Sequence, residues 1–482
     1  MSPSLIAGIV IAYFSILLLI TYFTSRNATN HTFFLGNKKS PWYIVAFGMI
    51  GASLSGVTFM SVPGWVKDTQ FSYMMVVFGY LVGYFIIATV LMPLYYRLNL
   101  TSIYTYLEGR FGVYTYKTGA SFFLLSRTLG ASLRMFLVVY VLQEYVFNAW
   151  NIPFYLTVLI FIVSILIYTY KGGIKTIIWT DTLQTTFMLL AVIISIVFIG
   201  KELNLSFSEL IKKVFQSDYS QMVITDWENK RHFVKQFLSG AFIAMTMTGL
   251  DQEMMQKNLS CKNLKQAQLN MFSFSTVLIF VNLLFLILGA ILVFYASSKQ
   301  IAVNQTDDLF PTIALRYLSP LAGIVFIIGL ISAAYPSADG ALTSLTTSFS
   351  IDILGMNKPS FPEQKRYRIR YLVHISFALL LFVCILFFKQ VNNKAIIDKV
   401  FTIAGYTYGP LLGLYAFGMF TKWQVKDRWI PFVAIASPII CYFLSVYSKQ
   451  LFWGYEFGFE LIILNGGLTF LGLFLFRKPK LL

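Results

Sequence analysis

Gly48-Met-Ile-Gly-Ala-Ser-Leu-Ser-Gly-Val-Thr-Phe-Met-Ser-Val-Pro-Gly64 lies inside an apolar span yet is crowded with residues that weaken helices. Gly48, Gly51, Ser53, Ser55, Gly56, Thr58, Ser61 and Pro63 each lower helix propensity, by loosening the backbone, competing for its hydrogen bonds or deleting an N–H. A helix can unwind at membrane depth only where its freed carbonyls line a cavity or bind an ion. The alternative use of such residues is close packing between helices, which Gly and Ser also permit. A second weak stretch, Ser239-Gly240 to Thr246-Met-Thr-Gly249, interrupts another apolar span. The first opens a run of five spans (42–200) and the second opens another five (234–421). Discontinuous helices at matching positions of two halves point to a transporter binding site, and the matched placement favours that reading over packing.

The rest of the chain has the composition such a fold requires. Of 482 residues, 57% are hydrophobic and only 12% charged, where a soluble domain carries about a quarter charged. Mean hydropathy is +0.71. A water-soluble enzyme cannot cover that much apolar side chain, and disorder has the opposite signature. Apolar stretches of roughly 18 residues or more mark spanning helices. They fall at 4–23, 42–66, 71–96, 118–148, 153–170, 176–200, 234–256, 270–296, 319–350, 370–388, 398–421, 429–448 and 457–476, about thirteen in all. The expectation is an all-α integral membrane protein. The first stretch lacks a preceding basic run and a cleavage site, so it reads as a retained helix. The segment 201–233 is mixed polar and aromatic, with room for a short surface helix. No HExxH, nucleophile elbow or cluster of catalytic carboxylates is present in the sequence, so an enzyme is not expected. Cys261, Cys384 and Cys441 form no disulfide or zinc pattern.

Thirty-seven Lys and Arg against twenty Asp and Glu give a net charge of +17. The basic residues are too scattered for a nucleic-acid partner. With the N-terminus outside, 22 of them fall in inside loops, Lys257 included, and 13 in outside loops. The positive-inside rule therefore predicts a multi-pass protein of the cell (inner) membrane with its N-terminus outside and its C-terminus cytoplasmic. Arg127 and Arg134 remain inside the fourth span, and Asp181, Asp251, Glu253 and Asp339 fall within or at the edge of spans. Charges at membrane depth are costly and mark function by default. Snorkelling to the interface is the alternative for Arg127 and Glu253, and an interfacial position for Asp181.

Four segments carry a family resemblance. Tyr168-Thr-Tyr-Lys-Gly-Gly-Ile-Lys-Thr-Ile-Ile-Trp-Thr-Asp-Thr-Leu-Gln184, Gln252-Glu-Met-Met-Gln-Lys257, Tyr335-Pro-Ser-Ala-Asp-Gly-Ala-Leu-Thr343 and Ala404-Gly-Tyr-Thr-Tyr-Gly-Pro-Leu-Leu-Gly413 closely resemble sodium:solute symporters, in the right order over essentially the whole chain. The resemblance implies the leucine-transporter-type five-plus-five inverted repeat. Residues 1–41 would form an extra helix and loop, 42–200 the first repeat and 201–233 an extracellular loop. Residues 234–421 would form the second repeat, and 422–482 two C-terminal helices. It also implies Na+ as the coupling ion, a small-molecule solute as cargo, and a monomer in the lipid bilayer.

Carried over residue by residue, the resemblance assigns Gly51, Leu54 and Ala333 as carbonyl ligands of a sodium site and Ser337 as a hydroxyl ligand. All-oxygen ligation suits a hard cation. The family usually has a Ser-Ser pair where this chain reads Pro336-Ser337. Where sialic-acid-type members place two further serines for a second sodium, it has Asp339 and Gly340. Asp181 matches the family aspartate that serves that second site. Asp339 then either restores a cation ligand, couples H+ instead, or pairs with a basic neighbour. The run Leu54 to Pro63 resembles the sialic-acid-type branch, in which the residues matching Ser55 and Thr58 hold the substrate carboxylate. Hydroxyls and a helix-break N-terminus suit an anion. Sugar-type members carry Asn and Gln at Ser53 and Thr58 and a Tyr-Trp pair at Met247-Thr248, which argues against a galactose-like solute. Gly130 aligns with the arginine that meets the sialic-acid carboxylate; Arg127 and Arg134 flank it on the same helix face and are the candidate substitutes. The expected activity is sodium-coupled import of a small, anionic organic solute. The alternatives are a proton-coupled or uncoupled member of the same fold, a transporter-like sensor or channel, and a neutral sugar or other solute as substrate.

Overall fold

A computed structural model of the chain describes residues 3–24, 33, 38–356, 363–391 and 396–478. Arg26, Lys358, Lys394 and Lys480, counted above in loops, lie outside the described residues. The helices are α1 (Pro3–Thr24), α2 (Trp42–Thr69), α3 (Tyr73–Arg97), α4 (Val113–Tyr145), α5 (Phe154–Thr169), α6 (Gly173–Glu202) and α7 (Phe233–Gly249). They continue with α8 (Gln252–Leu259), α9 (Leu264–Ser298), α10 (Pro320–Ile353), α11 (Glu363–Val391), α12 (Ile396–Phe420), α13 (Ile430–Val446) and α14 (Leu461–Leu475). Among the described residues, nine helices are long and apolar enough to cross a membrane, and the bent pair α7–α8 makes a tenth span; α5 and α14 are apolar but shorter.

Both faces of the burial pattern suit a bilayer. Ile11, Leu19, Phe280, Leu379 and Phe420 are exposed, as lipid-facing side chains must be, while the interior combines a large apolar core with many buried Ser and Thr and several buried charges. The most apolar stretch of α2 is 83% buried and that of α1 only 22%. The weakened helix is therefore the axis of the bundle: α2 packs on α6, α9 and α10, while α3 packs on α7 and α12 on α4 and α14.

Three interruptions shape this core. Within α2 the break falls at Ser55 (φ 47°, ψ 170°), a conformation that costs a non-glycine residue about 1–3 kcal/mol and survives only where its surroundings impose it. Between α5 and α6 it falls at Gly173 (φ 54°, ψ −148°), where a Cβ would also meet the Phe33 backbone at 2.5 Å. Between α7 and α8 the chain turns by 65°. The α-helical turns end at Ala244, a π-helical turn follows at Met245–Gly249 inside the weak stretch, and the bend itself comes directly after it at Leu250–Asp251. Gly240 instead lets α7 close on α3, its backbone against the Val76 carbonyl, so packing accounts for this part of the stretch. Asp251 starts α8 by accepting the N–H groups of Glu253 (2.9 Å) and Met254 (3.2 Å), as an N-cap aspartate does. The 201–233 segment holds the short helix Phe207–Phe215, opened by a capping box between Ser206 and Glu209.

Candidate functional site

The break in α2 opens onto a polar-lined cavity. All six candidate solute residues line it: Ser53, Ser55 and Thr58 from α2, Arg127 and Arg134 from α4, and Met247 from the last turn of α7. Tyr73, Tyr80 and Tyr84 of α3, Asn282 of α9 and Phe401 of α12 complete much of the wall; none was singled out in the sequence, because isolated aromatics in spans look like core. Positions 127 and 134 are two turns apart on α4, and beside Gly130, between them, nothing lies within 4 Å of a would-be Cβ. The chain thus presents a cation one turn above and one turn below the position where the resemblance expects it.

The two arginines are held differently. Arg127 is 4% exposed; its Nη2 pairs with Glu253 Oε2 and its Nη1 stands 3.9 Å from Asp251 Oδ2. Neither Arg127 nor Glu253 reaches the interface, so snorkelling is excluded and each neutralises the other. Arg134 also faces the cavity, and among the described residues its guanidinium makes no hydrogen bond or ion pair.

The sodium candidates meet one layer away. Ser337 Oγ on α10 points to the Ala52 carbonyl at 3.5 Å, between Gly51 and Leu54 at the α2 break. Leu54, Ala333 and Ser337 are all buried. Gly51 is fixed from behind, its N–H donating to Thr185 Oγ1 of α6 at 3.1 Å. Leu54 is shared, since it also lines the cavity, so the candidate ion and solute residues adjoin on one strained backbone. Pro336 lies inside a continuous α10; it leaves the Ser332 carbonyl without its helical N–H.

The carboxylates occupy a third layer. Asp181 is fully buried and not interfacial. Its Oδ2 holds the Lys257 ammonium at 2.7 Å, and its Oδ1 has no partner. Asp339 Oδ2 accepts from the Tyr168 hydroxyl at 2.9 Å, and its Oδ1 is likewise buried without a partner. Asp339 therefore takes a phenol in place of a direct ion pair.

Lys257 corrects the loop count: it is 1% exposed and belongs to the core, bound to Asp181 and 3.5 Å from Glu253 Oε1. The Asp181 carboxylate draws it inward, because a buried carboxylate without a counter-charge is costly. The signal was present as Glu253 and Lys257 at i,i+4 beside an apolar span, but a basic residue at a span end reads as a loop charge. Gly340 completes the arrangement. A Cβ there would meet Glu253 Oε1 at 2.3 Å, so the residue replacing the resemblance's serine makes room for the Glu253 carboxylate.

The sodium:solute symporter family model matches residues 33–426. The chain belongs to the sodium:solute symporter family. This symporter is 25% identical over 430 residues to the sodium/sialic acid symporter SiaT of Proteus mirabilis, covering 86% of this chain and 84% of that one. It is 22% identical over 460 residues to the sodium/sialic acid symporter NanT of Aliivibrio fischeri, covering 93% and 89%. Its fold matches a solved Na+-coupled sialic acid symporter in a substrate-bound outward-open state, with a TM-score of 0.84 at 19% identity over 98% of both chains. It also matches Mhp1, a nucleobase-cation-symport-1 family transporter, with a TM-score of 0.58 at 13% identity over 92% of this chain and 93% of the other. The architecture is thus the leucine-transporter-type inverted repeat in a multi-pass membrane protein, and the activity is sodium-coupled solute symport, not enzyme catalysis.

Proposed function

We propose that this symporter imports sialic acid, or a closely related carboxylated sugar, with sodium by alternating access. The observation that carries the solute class is Arg134: a guanidinium facing the cavity beside Ser53, Ser55 and Thr58, with no hydrogen bond or ion pair among the described residues. A guanidinium binds a carboxylate through paired charge-assisted hydrogen bonds, and the serine and threonine hydroxyls suit the polyol. The sialic acid symporters among its relatives support the same class. In this reading Gly51, Leu54, Ala333 and Ser337 hold the sodium, and Asp181 and Asp339 form a second cation or proton site. Residues 42–200 and 234–421 are the two repeats, flanked by 1–41, 201–233 and 422–482. The protein is a monomer of the inner membrane, N-terminus outside and C-terminus cytoplasmic.

The test is uptake of radiolabelled N-acetylneuraminic acid into proteoliposomes under an inward sodium gradient. Arg134→Gln is expected to raise the half-saturating solute concentration about 30-fold or more, since truncating one partner of a buried charge pair costs about 2–5 kcal/mol. Equal uptake under a proton gradient alone would refute sodium coupling. An Arg134→Gln protein with unchanged solute affinity would remove the anion contact.

A further inference from the structure

The cavity and the carboxylates are joined by a line of ion pairs. Arg127 lines the cavity and pairs with Glu253 Oε2. Glu253 Oε1 faces the Lys257 ammonium at 3.5 Å, and that ammonium sits 2.7 Å from Asp181 Oδ2. All of these side chains are at most 5% exposed. Asp251 is not a movable part of the line. Its Oδ1 caps α8, and its Oδ2 accepts the Tyr408 hydroxyl at 2.5 Å. Glu253 is the movable part: it divides its two oxygens between two cations, and the 3.5 Å contact is the looser one. At the far end, Asp181 Oδ1 and Asp339 Oδ1 are buried and unused. Asp181 lies one turn before Thr185, whose hydroxyl holds Gly51 at the α2 break.

We propose that this line couples solute to sodium by exchange of ion pairs. An anion docked on Arg134 also attracts Arg127, which lines the same cavity two turns away, and draws it from Glu253. The Glu253 carboxylate, which cannot stay unpaired at this depth, closes on Lys257. Lys257 then loosens from Asp181, and Asp181, with the free Asp339 oxygen near it, accepts a sodium ion. Charge balance favours the exchange. Asp181, Asp251, Glu253 and Asp339 are four carboxyl groups against three cations, the paired Arg127 and Lys257 and the more distant Arg134, which faces Asp251 only through space. Lending Arg127 to the solute leaves the cluster one positive charge poorer, and one sodium restores it. Glu253 is thus a positioning residue that touches neither ligand. The inference rests on the anionic-solute reading above.

Coupling is reciprocal, so each ligand must tighten the other by the same factor. The experiment is calorimetric titration of purified protein with N-acetylneuraminic acid at low and at saturating sodium, with choline as replacement. The expected factor for the parent protein and for Lys257→Arg is about tenfold, within the usual range of such couplings. For Glu253→Gln, which keeps the shape but not the charge, it is expected to fall to near one while binding at saturating sodium remains measurable. If Glu253→Gln does not fold, Lys257→Gln read the same way decides. A Glu253→Gln or Lys257→Gln protein with the full factor overturns the relay alone, and so does loss of coupling in Lys257→Arg. A parent protein that binds no sialic acid at any sodium concentration overturns the solute reading and the relay with it.

Discussion

Alanine at position 340 is expected to break the buried charge line without removing a charge. Its Cβ would stand 2.3 Å from Glu253 Oε1 and 2.6 Å from Cδ, where ordinary contact begins at 3.4 Å. The carboxyl must retreat by about an ångström, and the retreat lengthens its bonds to Arg127, Lys257 or both. The side chains are at most 5% exposed, so solvent compensates little. Separating one partner from a buried pair costs about 3–5 kcal/mol, while alanine in place of glycine in a helix returns about 0.5–1 kcal/mol. The net loss is therefore about 2–4 kcal/mol. The assay is thermal unfolding of detergent-purified protein, with Gly130→Ala as control, since nothing lies within 4 Å of a Cβ there. That control should be neutral or stabilising. In a Glu253→Ala background the cost of Gly340→Ala should vanish, because the clashing atoms are gone. A Gly340→Ala protein as stable as its parent, or the same loss in both backgrounds, would refute the reasoning.

Ser337→Ala removes the hydroxyl aimed at the Ala52 carbonyl and should raise the half-saturating sodium concentration for uptake about tenfold or more, as loss of one ligand to a charged group costs about 1.5–3 kcal/mol; unchanged sodium activation would remove Ser337 from the site. Asp307, in the segment before α10, accepts the Ile396 N–H of α12 at 3.0 Å, and burial lifts its carboxyl to about 6, against 3.8 for the free group. A carboxyl raised in the folded state stabilises most below pH 3.8, and that contribution is lost as pH rises to about 6. The shift corresponds to about 3 kcal/mol, so Asp307→Asn should be more stable than the parent at pH 7.5, with the gap closing toward pH 4. Melting curves across that range check it, and a gap that does not change with pH would show that Asp307 is not buried as a strained anion.

The sequence made the helices, the α2 break and the cavity wall legible because each rests on local chemistry. Apolar length marks a span, a cluster of weak formers marks a break, and hydroxyls beside it mark a polar lining. The structure places the break at Ser55 alone, which the cluster from Gly48 to Pro63 could not do. Eight weak residues are redundant signals, and only packing selects the one that yields. Gly240 was misread for the same reason, since small residues serve close packing and unwinding equally well. Lys257 was not legible at all. A lysine after an apolar run has one sequence signature whether it meets water or turns back to a carboxylate 76 positions earlier in the chain. That choice depends on where Asp181 stands in three dimensions. The Glu253–Gly340 contact is similarly remote: the glycine is explained by an atom on another helix, not by its own backbone angles.

These buried charges are poorly explained as a device for stability. A buried ion pair is often no better than apolar side chains of the same volume, yet removing one partner is severely destabilising. A line of pairs therefore contributes little when complete and penalises every state in which one member is missing. That asymmetry is what coupled transport requires. Moving the carrier with solute but no ion, or ion but no solute, leaves an unpaired charge in the core, whereas the fully loaded carrier does not. The position of the line fits this role. It joins α4, α8 and α6, one end at the cavity and the other on the helix that pins the α2 break. An apolar core would hold these helices together as firmly in every ligand state, and so could not report which ligand was absent.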